Sequence, residues 1–246
     1  MMNTKIHILQ PLLVVIIATS LSGYGCRDLK PVDFVNPMIG TDYHGHTFPG
    51  AVLPAGMVQL SPETDINGWD WCSGYHYSDS SIMGFSHLHR SGMGAGDWGD
   101  ILIMPTTGDL KIVPGKKSNP DEGYRSRFSH DDEIATPGYY AVTLKDYNIK
   151  AELTVTNRTG YHKYTFPESA SSRILIDMKH GIRDSCTGAM VKIVNDREIE
   201  GYRMSIGFVR NKPYIFVLSS ANPSNHSAHG REMILTMDHQ KSPDTV

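Results

Sequence analysis

Tyr139-Tyr-Ala-Val-Thr-Leu144, Lys145-Asp-Tyr-Asn148, Ile149-Lys-Ala-Glu-Leu-Thr-Val-Thr156, Asn157-Arg-Thr-Gly160 and Tyr161-His-Lys-Tyr-Thr-Phe166 follow one another without a break. The first, third and fifth pieces alternate in polarity, and the second and fourth carry turn residues. Ile149, Ala151, Leu153 and Val155 fall on one face, the spacing of a half-buried strand. Pro167 closes the last piece. The segment is therefore read as three antiparallel strands joined by short turns.

The same texture runs on in both directions. Further strands are expected over Ser172 to Asp177, Met190 to Asn195, Glu198 to Ile206 and Tyr214 to Ser220. No stretch of ten or more residues shows a helical period after the leader. Short strands separated by Gly, Asn and Pro predict an all-β, antiparallel sandwich or barrel. The tail, residues 221–246, is polar and holds one possible strand at Glu232 to Met237. It is read as a chain cut before its natural end.

Residues 40–100 differ sharply. They hold 11 of the 23 Gly and all three Trp, with little apolar periodicity. Such long Gly/His/Trp-rich loops are costly to order, so they are expected to build a site. The 23 Lys and Arg against 26 Asp and Glu leave a net charge of −3, which makes nucleic acid a poor partner.

At the N-terminus, Pro11-Leu-Leu-Val-Val-Ile-Ile-Ala-Thr-Ser-Leu21 is too short to span a bilayer and suits the apolar core of a secretory signal. It runs into small residues before Cys26. Residues 1–25 are read as a lipoprotein-type signal peptide, with Cys26 as the lipidation site and residues 26–220 as the domain. Plain secretion is the alternative. Cys72 and Cys186 remain, either paired or as free thiols.

Two His-x-His pairs, His44/His46 and His87/His89, sit in the loop region. In an extended chain positions i and i+2 share a face, so each pair could ligate a metal with Asp97 or Asp100 completing the shell. The other reading gives these imidazoles to a polar ligand. Gly68-Trp-Asp-Trp-Cys-Ser-Gly-Tyr-His-Tyr77 concentrates aromatic and polar groups. A sugar ring offers apolar C–H faces and a rim of hydroxyls, which such a stretch can match. Alternation puts Trp69 and Trp71 on one face and Asp70 on the other. Ser91-Gly-Met-Gly-Ala-Gly-Asp-Trp-Gly-Asp100 invites a nucleotide reading, but no strand–turn–helix unit or P-loop Lys accompanies it. No Gly-x-Ser-x-Gly elbow is present.

Val35-Asn-Pro-Met-Ile-Gly-Thr41, His44-Gly-His-Thr-Phe-Pro-Gly50, Leu53 to Pro62, Gly68 to Tyr77, Gly84-Phe-Ser-His-Leu-His89 and Gly99-Asp-Ile-Leu-Ile-Met-Pro105 together resemble glycoside hydrolase family 92, bacterial exo-acting α-mannosidases. The likeness continues through Ala151 to Gly160, Ile174-Leu-Ile-Asp177 and Gly201-Tyr-Arg-Met-Ser205. It implies an N-terminal β-sandwich followed by an (α/α)6 helical barrel, with the active site at their junction. It further implies calcium-dependent, inverting catalysis by a Glu acid and an Asp base, both from the helical domain that this sequence lacks.

On that resemblance the chain is expected to be inactive alone. It would bind a mannose-containing glycan through Trp69, Asp70, Trp71, Cys72, His87, His89, Asp97, Trp98, His44 and His46. The calcium ligands would lie elsewhere, and the partners would be the glycan and the missing helical domain. Arg90 departs from the small or apolar residue the family places after the second His pair. Export to the periplasm, or anchoring as an outer-membrane lipoprotein of a Gram-negative bacterium, is expected. Two other readings are a stand-alone carbohydrate-binding lipoprotein and a His-x-His metallohydrolase.

Overall fold

The computed structural model describes residues 28–168, 171–221 and 231–239. Residues 1–25 and Cys26 lie outside them. The chain divides into a short N-terminal unit, residues 1–35, and a main body, residues 36–246. The described part of the first unit is a single 3-10 turn, Pro31–Phe34, with the Lys30 N–H donating to Asp33 Oδ2 at 2.8 Å.

The main body is built from strands. They are β1 (Ala51–Val52), β2 (Gln59–Glu63), β3 (Ser81–Ile82), β4 (Gly84–Ser86), β5 (Leu102–Thr106), β6 (Ser126–Arg127), β7 (Ile134–Thr136) and β8 (Tyr139–Leu144). Then follow β9 (Ile149–Val155), β10 (Thr159–Phe166), β11 (Arg173–Asp177), β12 (Ser185–Asn195), β13 (Glu198–Ile206), β14 (Lys212–Ala221) and β15 (Arg231–His239). One sheet has the order β1-β2-β4-β5-β11 and a larger one β12-β13-β14-β15-β10-β9-β8-β7, while β3 pairs with β6. All pairings are antiparallel, as short turns between consecutive strands require.

The strand faces follow the sequence pattern. Ile149, Ala151, Leu153 and Val155 are buried, and Lys150 and Thr154 are exposed. On β10 the inward set is Gly160, His162, Tyr164 and Phe166. Leu60, Phe85 and Ile103 from the five-stranded sheet join Val142, Leu153 and Tyr164 from the larger one in a single apolar cluster. The Phe85 and Tyr164 rings, 6.1 Å apart, meet across the interface. Each such fully buried side chain contributes roughly 1.5–3 kcal/mol, which fixes the sandwich.

Among the inward positions of β10, one carries an imidazole. His162 is fully buried and takes Tyr164 Oη at 2.7 Å on Nδ1 and His87 Nε2 at 2.8 Å on its own Nε2. Burial pushes its pKa down to about 3, so the ring is neutral.

The sheet extends past residue 220. The strand expected over Glu232 to Met237 runs from Arg231 to His239 and lies between β14 and β10. Residues 231–239 thus complete the large sheet and are not a separate tail, because Leu235 and Met237 are buried in the sandwich. At one rim of the large sheet β12 is the edge strand, with Val191 46% and Ile193 78% exposed. Cys72 and Cys186 are both free thiols, the first buried and the second half-buried.

Candidate functional site

The Trp-rich stretch is a turn, not a strand. Trp69 to Ser73 fold back on themselves, with the Cys72 N–H donating to Trp69 O at 3.3 Å and the Gly74 N–H to Trp71 O at 3.0 Å. The strict alternation expected of Trp69, Asp70 and Trp71 is lost for that reason. Trp69 and Asp70 reach the same group of side chains, and Trp71 turns away.

Trp69 is half-exposed and held on both sides. Its Nε1–H donates to Gly94 O at 2.9 Å, and its ring meets His46 edge-on at 4.4 Å and His44 at 4.9 Å. A Cβ at Gly94 would stand 2.7 Å from Trp69 Nε1, so this seat needs glycine. His44 Nδ1 donates to Asp70 Oδ1 at 2.5 Å, and His46 Nε2 lies 3.6 Å from the same oxygen. That His44 N–H holds the Asp70 carboxyl below the usual carboxylate range. The result is a partly exposed indole beside an ionised carboxylate.

Trp71 is capped. Its Nε1–H donates to Asp79 Oδ2 at 2.7 Å, and the Lys117 ammonium sits 3.8 Å above its ring. The Lys117 ammonium thus already covers one face of the ring expected to meet a ligand.

The second His pair splits. His87 points at His162 across the sandwich, whereas His89 Nδ1 donates to Gln59 O at 2.7 Å and its Nε2 to Glu63 Oε1 at 2.9 Å. Both rings are sealed inside, so neither can touch a ligand, contrary to expectation. Cys72 is sealed beneath the turn, and burial pushes its thiol pKa up. His44 and His46 both close on the Asp70 carboxylate while His87 and His89 diverge, and among the described residues no group of three or more His, Cys, Asp or Glu is arranged to hold a metal. The described residues thus lend the His-x-His metal reading no support.

Two buried charge clusters support the exposed wall. Glu63 carries no signal in the sequence, yet it accepts from Ser86 Oγ at 2.5 Å and from His89, with His180 Nε2 3.7 Å away. Burial alone would raise its pKa, but the His89 and His180 imidazoles outweigh burial and lower it to about 2. A Cβ at Gly74 (φ +79°) would overlap Glu63 Oε2, so this carboxylate fills the space under the Trp69 turn.

The other cluster holds Asp97, expected to touch ligand but fully buried. It is tied to Lys212, with Asp100, Asp184 and Arg203 around them. Trp98 follows Asp97, half-buried, with the Arg90 guanidinium 5.8 Å from its ring. Arg90 also lies 4.9 Å from the Phe208 ring, which gives that departure from the expected small residue a packing role.

Of the ten expected site residues, the structure therefore gathers His44, His46, Trp69 and Asp70 at one exposed place. Trp98 stands on the neighbouring loop, and Trp71, Cys72, His87, His89 and Asp97 are withdrawn. Glu63, His180, Arg203 and Lys212 were not anticipated. Their partners lie up to 115 residues away in the chain, so no local spacing could reveal them.

A family model for the glycosyl hydrolase family 92 N-terminal domain matches residues 34–241. A protein of Arthroderma benhamiae named an uncharacterized secreted glycosidase is 31% identical over 178 residues, 66% of this chain and 21% of its own length. The solved structure of a family GH92 α-mannosidase from Bacteroides thetaiotaomicron in complex with mannoimidazole has a TM-score of 0.80 at 37% identity. That match covers 85% of this chain and 32% of the other. A family GH92 inverting mannosidase from the same organism has a TM-score of 0.64 at 27% identity, over 89% of this chain and 30% of its own. The chain thus spans about a fifth of the curated relative and about a third of the solved structures.

Proposed function

The chain belongs to glycosyl hydrolase family 92, and from that premise we propose that it forms one wall of the glycan site of an exported, inverting, calcium-dependent α-mannosidase. The substrate is an α-mannoside of a glycan. The observation that carries the reading is the half-exposed Trp69 indole, braced by His44, His46 and Gly94 O beside the ionised Asp70.

The chemistry of a pyranose supports it. The Trp69 face offers flat apolar area to the sugar C–H groups, and Asp70 accepts hydrogen bonds from hydroxyls at the rim. His44 fixes where that carboxylate points. His46, nearly buried, keeps the indole from rotating away. Preorganisation of this kind removes side-chain ordering costs when the sugar arrives.

The wall does not supply a hydrolytic pair. Inverting hydrolysis needs an acid and a base about 6.5–9.5 Å apart with water between them. Asp70 has open surface, while Glu63, Asp97, Asp100 and Asp184 are bound to His, Arg or Lys. Nor do the described residues fit the calcium ion that the family resemblance implies. Calcium takes six to eight oxygens, and the buried carboxylates already face cations. Acid, base and calcium ligands are assigned to other parts of the enzyme.

Export is supported by the secreted relative's name, and lipidation at Cys26 is part of the same proposal. Titration of the full chain with α-1,2-mannobiose, followed by tryptophan emission, tests the reading. Saturable change in the unaltered protein and none in Trp69→Phe is expected. Equal responses from the two would overturn it.

A further inference from the structure

Three buried carboxylates converge on one ammonium. Lys212 opens β14, far from any motif, and its Nζ lies 3.1 Å from Asp97 Oδ1, 2.9 Å from Asp100 Oδ2 and 3.3 Å from Asp184 Oδ2. Its side chain is 12% exposed, and all three carboxylates are fully buried. Arg203, from β13, binds Asp100 and Asp184 from the other side and donates through Nε to Met178 O at 3.0 Å.

These carboxylates come from two loops. Asp97 and Asp100 flank Trp98, and Asp184 follows Arg183. The loops also touch directly, with the Ile182 N–H donating to Trp98 O at 2.7 Å. Asp97 holds its own neighbourhood, accepting from the Trp98 N–H at 2.9 Å and the Val209 N–H at 3.3 Å.

The backbone here is strained. Trp98 (φ +77°), Ile101 (φ +61°) and Arg183 (φ +58°) all adopt the left-handed conformation that non-glycine residues avoid. Each stands next to one of the three carboxylates that Lys212 binds. Such conformations cost about 1–3 kcal/mol each and persist only where the surroundings over-determine them. Without Lys212, Asp100 and Asp184 would share the Arg203 guanidinium and Asp97 would lose its ammonium partner, and like charges in a desolvated space repel.

We propose that Lys212 is a positioning residue: it clamps the 97–100 and 182–184 loops so that Trp98, and through Gly94 O the Trp69 ring, stand where a sugar meets them. This rests on the glycan-wall reading above. Lys212 itself touches no ligand.

The test uses the full chain in two arms. In a Trp69→Phe, Trp71→Phe background Trp98 is the sole tryptophan, and acrylamide quenching of its emission reports its placement with no ligand present. Lys212→Met is expected to raise the quenching constant about twofold, and Lys212→Arg to restore the original value. In the chain with all three tryptophans, Lys212→Met is expected to weaken α-1,2-mannobiose binding about tenfold, again with rescue by Lys212→Arg.

Should Lys212→Met fail to fold, Asp97→Asn decides. It keeps an acceptor for the Trp98 N–H, removes the charge Lys212 grips, and should raise quenching in the same sense. A folded Lys212→Met, or failing that a folded Asp97→Asn, with unchanged Trp98 quenching overturns the clamp. If the unaltered chain binds no mannobiose, the wall reading fails by itself, and the quenching arm still decides the clamp.

Discussion

The neutral imidazole of His162 makes the sandwich acid-sensitive over a defined range. In the unfolded chain that ring titrates near 6.5, and in the folded domain burial lowers its pKa to about 3. The unfolded state therefore binds the extra proton first. The stabilisation is complete above the unfolded value and is withdrawn as pH falls toward the folded one. The full difference corresponds to about 5 kcal/mol. Between about pH 7.5 and pH 5.0, His162 alone withdraws roughly 2 kcal/mol, which lowers Tm by about 4–8 °C in a domain of this size.

Glu63 acts in the same direction but lower down. Its pKa of about 2 against an ordinary 4.5 means that its stabilisation is lost mainly below pH 4.5. The pH 5.0 measurement thus separates His162 from Glu63. His162→Gln keeps polar atoms toward Tyr164 and His87 and removes the titration. Denaturant unfolding of both proteins at the two pH values reads the effect. The variant should lose roughly 2 kcal/mol less than the unaltered chain over that interval. A folded His162→Gln with an undiminished pH slope would refute the argument.

Trp69→Ala should abolish the mannobiose response, while denaturant unfolding shifts by less than about 1 kcal/mol, because half of the indole is already in water. Gly74→Ala combines a left-handed φ with overlap on Glu63 Oε2, so calorimetry should show a loss of about 2–4 kcal/mol. An unchanged Tm would mean that Glu63 does not fill that space. Incubation of the chain with α-1,2-mannobiose, with or without a calcium chelator, should release no mannose above background, because the proposed acid and base belong to other parts of the enzyme. Measurable turnover would place a catalytic pair inside this chain.

The fold was legible where its causes are local. Alternation over 139–166 names the inward residues of β8 to β10, and the Asn157 to Gly160 turn sets their register, so short-range pattern sufficed. The site was legible in part. The density of Trp, His and Gly marked the right segment, but side-chain directions there depend on how turns close. Trp69 and Trp71 diverge because 69–73 is a turn, and His87 and His89 diverge because they answer to His162 and Glu63. The Lys212 and Glu63 clusters join residues that only the tertiary fold brings together. Composition gives no hint of such pairings.

The place of β15 has a consequence for synthesis. The last strand described enters the middle of the large sheet, between β14 and β10, not its rim. Until residue 239 has left the ribosome, β12 to β14 and β7 to β10 are two separate ribbons, each with an unpaired border awaiting the same insert. Such borders invite foreign strands. A nascent chain of this protein therefore needs shielding until residue 239 has emerged, and a ribosome stalled only ten residues short of it would hold a product that cannot zip its larger layer shut.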